Sequence, residues 1–260
     1  MPELFAGLEG IDRVLMSIAF VVIAAAISRW QHSDLEKDLA VAALRSFIQL
    51  IAIGYVLELV FEMDVPLFTI AILLVMITIG GRTSGARAKK TPNGVMVAFL
   101  AIGIGSGLTI ALLVALGVFQ FVPKDIIPIG GMIVGTSMTT ATLVITRLSS
   151  DFYDQRDLIE SKLALGATSR QASLTQFQRT IVSAMTPIVD TTKTVGLIKL
   201  PGAMTGMILA GASPLEAVQL QIIVMYMLVG AATFTGLIAA WLTYRQFFSP
   251  AHQLVLELRR

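Results

Sequence analysis

The chain has 260 residues, 55% of them hydrophobic and 14% charged, with a formal net charge of +2 and a mean hydropathy of +0.81. A soluble domain carries about 25% charged residues, and here the apolar residues fall into runs long enough to cross a bilayer as helices. That excludes a soluble enzyme, a disordered chain and, with no cysteine present, a disulfide scaffold, a thiolate metal site or a cysteine nucleophile. The expected fold is all-α and polytopic, with about seven transmembrane helices.

In chain order the expected spans are Ile11–Ser28, Leu39–Phe61, Val65–Gly81, Gly94–Phe119, Ile126–Arg147, Thr194–Gly211 and Ala217–Tyr244. The first is read as a retained span with an exported N-terminus. A signal peptide opens on basic residues, and the first twelve positions hold Glu3, Glu9 and Asp12 without Lys or Arg.

The second span carries Arg45 and Gln49 four residues apart, on one helical face. Either they line a translocation pathway, or Arg45 snorkels to the interface while Gln49 bonds a neighbouring helix. At its other end Glu58, Glu62 and Asp64 stand without a basic residue in the same loop. Such carboxylates form an external cation site for a hard metal or are plain solvated acids.

Between the third and fourth spans, Gly80–Thr91 imitates a phosphate-binding loop. Ala86 and Arg87 stand where Lys and Ser/Thr are required, so the segment is read as a flexible basic loop. Spans five and six each place a Pro just before a Gly-rich, Met-containing stretch, at Pro128 and Pro201. Paired interruptions of this kind point to transporter substrate sites. Met132, Ser137, Met138, Met204 and Met207 would then line the pathway, the competing reading being tight packing through small residues.

Residues 149–180 form the one long polar insert, centred on Glu160-Ser161-Lys162-Leu163-Ala164-Leu165-Gly166-Ala167. An acidic residue six positions before a Gly resembles the coupling element of ABC-transporter permeases. On that reading Glu160, Leu163, Leu165, Gly166 and Ala167 contact a separate ATPase subunit. A helix lying on the lipid headgroups is the alternative. Beyond it, Asp190, Lys193 and Lys199 form either a gate or an interfacial anchor, Asp190 and Lys193 being spaced to pair if helical.

Lys and Arg mark the cytoplasmic side. Alternate loops and the C-terminal tail collect 14 of them, whereas the opposite side has only Arg13 and Lys124. The N-terminus is therefore expected outside and the C-terminus in the cytoplasm. His32 and His252 lie outside the runs, so no histidine metal cage is expected.

Longer stretches carry a family resemblance from about Leu39 to the C-terminus. They are Arg45-x3-Gln49-Leu50 with Gly54-Tyr55-Val56-Leu57, Ile127-Pro128-Ile129 leading into Gly131-Met132-Ile133, and Lys162-Leu163 with Leu165-Gly166-Ala167-Thr168. Further on come Pro187-x2-Asp190-x2-Lys193-Thr194-Val195-Gly196-Leu197, Leu200-Pro201-Gly202-x-Met204-x-Gly206 and Leu242-Thr243-Tyr244-Arg245 with His252-Gln253-Leu254-Val255. These resemble the FetB-like iron-export ABC permeases, a group that includes the plant aluminium-sensitivity membrane subunits.

The resemblance implies one permease domain over residues 1–260, working as a homodimer in the bacterial inner membrane. It implies a separate cytoplasmic ABC ATPase that holds ATP and Mg, this chain binding no cofactor or nucleic acid and being no enzyme itself. Iron is the implied cargo, moved out of the cell. An organic anion such as a sugar nucleotide, or an ion-coupled secondary transporter, are the rival functions. Thr136, Ser137 and Lys199 depart from the family pattern, which bears on cargo more than on architecture.

Overall fold

The computed structural model describes residues 11–30, 36–63, 65–198 and 200–256, and the elements in them are α-helices. Two compact units divide the chain after Met63.

In the first unit α1 (Ile11–Trp30) and α2 (Glu36–Met63) lie against one another. Glu36 and Asp38 in the first turn of α2 face the positive end of its dipole. The apolar residues of α2 are largely exposed, as expected of a helix whose solvent is lipid.

The second unit holds α3 (Pro66–Arg87), α4 (Gly94–Ala115), α5 (Pro123–Asp154), α6 (Arg156–Ala164), α7 (Ser169–Thr194), α8 (Gly202–Leu209) and α9 (Pro214–Phe247). Pro opens α3, α5 and α9, where its missing N–H costs nothing. A Ser213–Glu216 capping box fixes the start of α9. Among the described residues five helices, α2, α3, α4, α5 and α9, are long and apolar enough to cross a membrane.

Helices gain no hydrophobic energy by meeting each other in lipid, so close packing must hold them. Gly81 and Gly85 bring α3 onto α4. A Cβ on Gly81 would lie 2.9 Å from Phe99 Cα, and one on Gly85 would lie 2.6 Å from Val95 N. Gly105 does the same between α4 and α9, where a Cβ would lie 2.9 Å from Thr235 Cα.

Two apolar clusters fill the unit. One, around Ile102, Ile145, Leu148, Phe152 and Phe247, lies toward the α5–α6 junction, and the other, around Leu73, Ile110, Ile126 and Ile133, toward the start of α5. Among the buried hydroxyls, Ser137 accepts from Ser106 (3.2 Å) and from Thr235 (2.9 Å), joining α4, α5 and α9.

Three expectations need correction. Gly80–Thr91 is not a flexible loop: α3 runs to Arg87 with Gly80, Gly81, Ser84 and Gly85 buried. The Gly81-x3-Gly85 spacing is a helix-contact pattern, and its small residues imitate loop composition. The turn that follows is tied to α5 by Thr91 and Ser149 and by Lys90 over the Tyr153 ring.

Pro128 does not interrupt span five either, because α5 continues through it. The helix loses one backbone hydrogen bond near its start and is otherwise regular. Finally, Thr194–Gly211 is not one helix. It comprises the last residue of α7, a non-helical connection, and α8 with 8 residues, where Gly196 at φ +82° and Pro201 stop the helical ladder.

Candidate functional site

The site has two parts joined by α7. The first is an elbow made by α6 and the start of α7. Phe152 at the end of α5 meets Phe247 edge-to-face (5.2 Å between centroids) and Phe248 likewise (5.5 Å), with Tyr153 against Phe247 at 5.8 Å. Onto this aromatic base α6 sets Ile159, fully buried, with Leu163 and Ala167 partly buried in the same cluster.

The outward side of α6 carries Leu158 and an Arg156–Glu160 ion pair (2.7 Å). Leu165 is 88% exposed at the tip. Gly166 takes φ +89°, and the Ala167 N–H reaches the Lys162 carbonyl while the Gly166 N–H reaches that of Leu163. This is a Schellman ending, and only a residue free of the Cβ penalty enters it cheaply. Thr168 and Gln171 then close a capping box that starts α7.

Of the expected contact set, Glu160 and Leu165 lie outward, Leu163 and Ala167 inward, and Gly166 makes the turn. The C-terminal tail locks this elbow. Ser169 Oγ is 2.6 Å from the Tyr244 hydroxyl and 2.9 Å from His252 Nδ1, and the Ser169 N–H donates to the same nitrogen at 3.3 Å. His252, expected only as part of a family stretch, is thus a structural clamp.

From the elbow α7 runs back along α5. Gln176 donates to Gln155 (2.9 Å), Thr180 to Asp151 (3.5 Å), and Ala184 reaches the level of Thr140. The second part of the site lies at the far end of α7, where two cavities flank its last turns. One, of about 260 Å³, lies between α5 and α7 and is lined by Gly135, Thr136, Thr139, Thr140, Pro187 and Thr191 among others.

The other, of about 390 Å³, is enclosed by the α7–α8 connection and α9, with Thr192, Gly196, Met204, Gln221, Met225 and Tyr226 in its wall. Gln221 is 5% exposed and its Oε1 has no hydrogen-bond partner. A buried unpaired amide oxygen costs about 1–3 kcal/mol, which a ligand in the cavity would recover. Among the described residues neither cavity wall contains a charged side chain.

Met204 is the one expected pathway residue in these walls; Met207 is half-buried on α8 and outside them. Met132 and Met138 are partly buried against the apolar clusters, and Ser137 lies in the hydroxyl group described above. Arg45, Gln49, Glu58 and Glu62 are exposed on α2, in the first unit; Asp64 and Lys199 lie outside the described residues.

Asp190 and Lys193 are helical and exposed, but among the described residues the recorded ion pair is Arg156–Glu160, so the expected pairing is not made. Both side chains are separately solvated at the surface, which leaves little to gain from pairing. Sequence reasoning missed Thr192, Gln221, Met225 and Tyr226. An amide in the apolar run Ala217–Tyr244, Gln221, with Met225 one turn on, was the available signal. Among the described residues no group of three or more His, Asp or Glu is placed to hold a metal.

The family model described as "Uncharacterised protein family (UPF0014)" matches residues 11–248. The chain belongs to this family. It is 45% identical over 247 residues to "Protein ALUMINUM SENSITIVE 3" of Arabidopsis thaliana, covering 95% of this chain and 90% of that protein. "Probable iron export permease protein FetB" of Escherichia coli (strain K12) is 38% identical over 245 residues, covering 94% and 95%. "UPF0014 membrane protein STAR2" of Oryza sativa subsp. japonica is 45% identical over 247 residues, covering 95% and 87%. No solved structure matches the chain. Family membership and the apolar helices together make this chain a polytopic membrane protein of the UPF0014 family.

Proposed function

We propose that this protein is the membrane subunit of an ABC transporter, a single permease domain over residues 1–260 that pairs with a separate cytoplasmic ATPase and exports a metal cation, with iron first. The observation that carries the reading is the continuity of α7. Its first residue is clamped at the elbow, and its last turns wall both cavities. A displacement of the elbow by the ATPase would therefore be delivered along one helix to the cavity.

In this reading residues 149–180 are the coupling insert. The broken pair α7–α8 makes the sixth of seven crossings, giving an exported N-terminus and a cytoplasmic C-terminus in the inner membrane of a bacterium. A second copy completes the pathway. ATP and Mg bind the partner, and ATP drives transport by binding the two conformations with different affinity.

The relative named as an iron export permease supports the cargo. So do the neutral oxygen groups that Thr192, Gln221 and Tyr226 bring to the larger cavity, since oxygen ligands suit a hard cation. ATP-driven iron uptake into inverted vesicles holding this chain and its ATPase tests the proposal. Uptake that requires ATP and disappears in Gly166→Pro supports it; an active, copurifying ATPase with no iron flux overturns iron as cargo and keeps the pairing.

A further inference from the structure

A third cavity, of about 330 Å³, lies between α7 and α9 at the elbow end and takes no part in the proposed route. Its lining is Arg170, Ser173, Leu174, Phe177, Trp241 and Tyr244. Arg245, one turn beyond Trp241, lays its guanidinium over the Trp241 ring at 4.6 Å from the centroid. The groove thus has an apolar and aromatic floor, with the exposed Arg170 in its lining and the exposed Arg245 beside it over the Trp241 ring.

It sits where α9 passes from its apolar run into Tyr244-Arg245-Gln246, the depth at which Trp and Tyr mark a membrane boundary. We propose that this groove is a binding site for an anionic phospholipid, with its phosphate held by Arg170 and Arg245 and its glycerol and upper acyl chains against Leu174, Phe177 and Trp241.

Charge and shape choose this occupant together. Arg is suited to phosphate because its planar fork donates two parallel hydrogen bonds. Basic pockets between membrane helices at the headgroup level take anionic lipids. A soluble phosphate would use the arginines and leave the apolar floor wet. An acyl chain continues along exposed apolar residues on the same two helices, Val182 two turns along α7 from Leu174 and Leu237 one turn along α9 from Trp241.

The site goes beyond the transport reading, and either can hold without the other. Its position also has a consequence. Arg170 and Tyr244 flank Ser169, the residue clamped to Tyr244 and His252, so an occupied groove braces the start of α7 from the lipid side.

The chain has two tryptophans, Trp30 and Trp241. A Trp30→Phe background therefore makes Trp241 emission the sole reporter. The full-length protein is reconstituted into phosphatidylcholine vesicles containing a minor fraction of brominated phosphatidylglycerol, and separately into phosphatidylglycerol vesicles with the same fraction of brominated phosphatidylcholine.

Trp241 should be quenched more by the brominated anionic lipid than its bulk fraction predicts. Arg170→Gln and Arg245→Gln should each lower that enrichment about fivefold. Arg87→Gln with Lys89→Gln, which removes more charge elsewhere than either groove variant, should leave it unchanged. Inorganic phosphate added to the vesicles should not relieve the quenching.

Equal quenching by the two brominated lipids would overturn the proposal. So would a loss of enrichment in the Arg87/Lys89 variant matching that in the groove variants, which would reduce the effect to net charge. Relief by inorganic phosphate would assign the arginines to a soluble anion instead.

Discussion

Gly85 and Gly107 lie on adjoining helices and should respond in opposite directions to an added methyl. At Gly85 the new Cβ would sit 2.6 Å from the Val95 nitrogen, a backbone atom that cannot move without its helix. Overpacking of this kind costs about 1–3 kcal/mol, so Gly85→Ala should melt earlier in detergent. Gly107 has nothing within 4 Å of the same position, and removing backbone freedom from a helix interior gains about 0.5–1 kcal/mol, so Gly107→Ala should melt later. Equal melting of the two variants would mean that α3 and α4 do not meet through Gly85. Gln221 poses a different test, because its buried oxygen is unpaired beside a cavity. Gln221→Leu removes that unsatisfied group at similar volume and should hold or raise stability by about 1 kcal/mol, while flux in the vesicle assay falls. Earlier melting with unchanged flux would make Gln221 a packing residue.

At the scale of the element, the elbow is short, and its stability rests on its ends. Nine residues of α6 are too few to hold a helix alone in water, so the Gly166 turn and the Thr168 cap carry it, together with Ile159 in the aromatic base. Thr168→Ala should cost about 0.5–2 kcal/mol, and Gly166→Ala about 1–2 kcal/mol for forcing a side chain to φ +89°. Both costs should appear as faster amide hydrogen exchange in α6 and the first turn of α7, with the centre of α9 unchanged. Exchange that rises throughout the second unit would mean that the elbow is part of the global core. Much of this element was legible: the acidic residue, the Gly six positions on and the polar insert were all in the sequence, because they are local. The course of α7 up to Thr194 was not, because its last turns carry threonines whose hydroxyls bond back to their own helix, as Thr191 and Thr192 do at 2.8 and 2.7 Å. Nor could spacing show that Ser106, Ser137 and Thr235 meet, since contacts between residues so far apart in sequence are set by helix packing alone.

The whole molecule leaves one large apolar side chain at the end of its polar elbow, Leu165, with Leu158 half-exposed on the same short helix. Isolated exposed leucines are common, but this one caps an element whose base is locked by buried aromatics and whose far end leads to the cavities. Under the proposed pairing, Leu165 fills a pocket on the ATPase, as the apolar anchor of a helix docked in a groove. Leu165→Asp should therefore release the ATPase during copurification, with the melting temperature of the permease alone unchanged, because no packed contact is lost at an 88% exposed position. Glu160→Ala removes an exposed ion pair worth about 0–1 kcal/mol within the chain, so any loss of copurifying ATPase beyond that would come from the interface. The two readings of the insert separate here. A helix resting on lipid headgroups would keep its ATPase in the Leu165→Asp variant, since the membrane-spanning helices already hold the chain in the bilayer. A docked elbow would lose the ATPase and, with it, ATP-driven flux, and retention of both in Leu165→Asp would sink the coupling assignment.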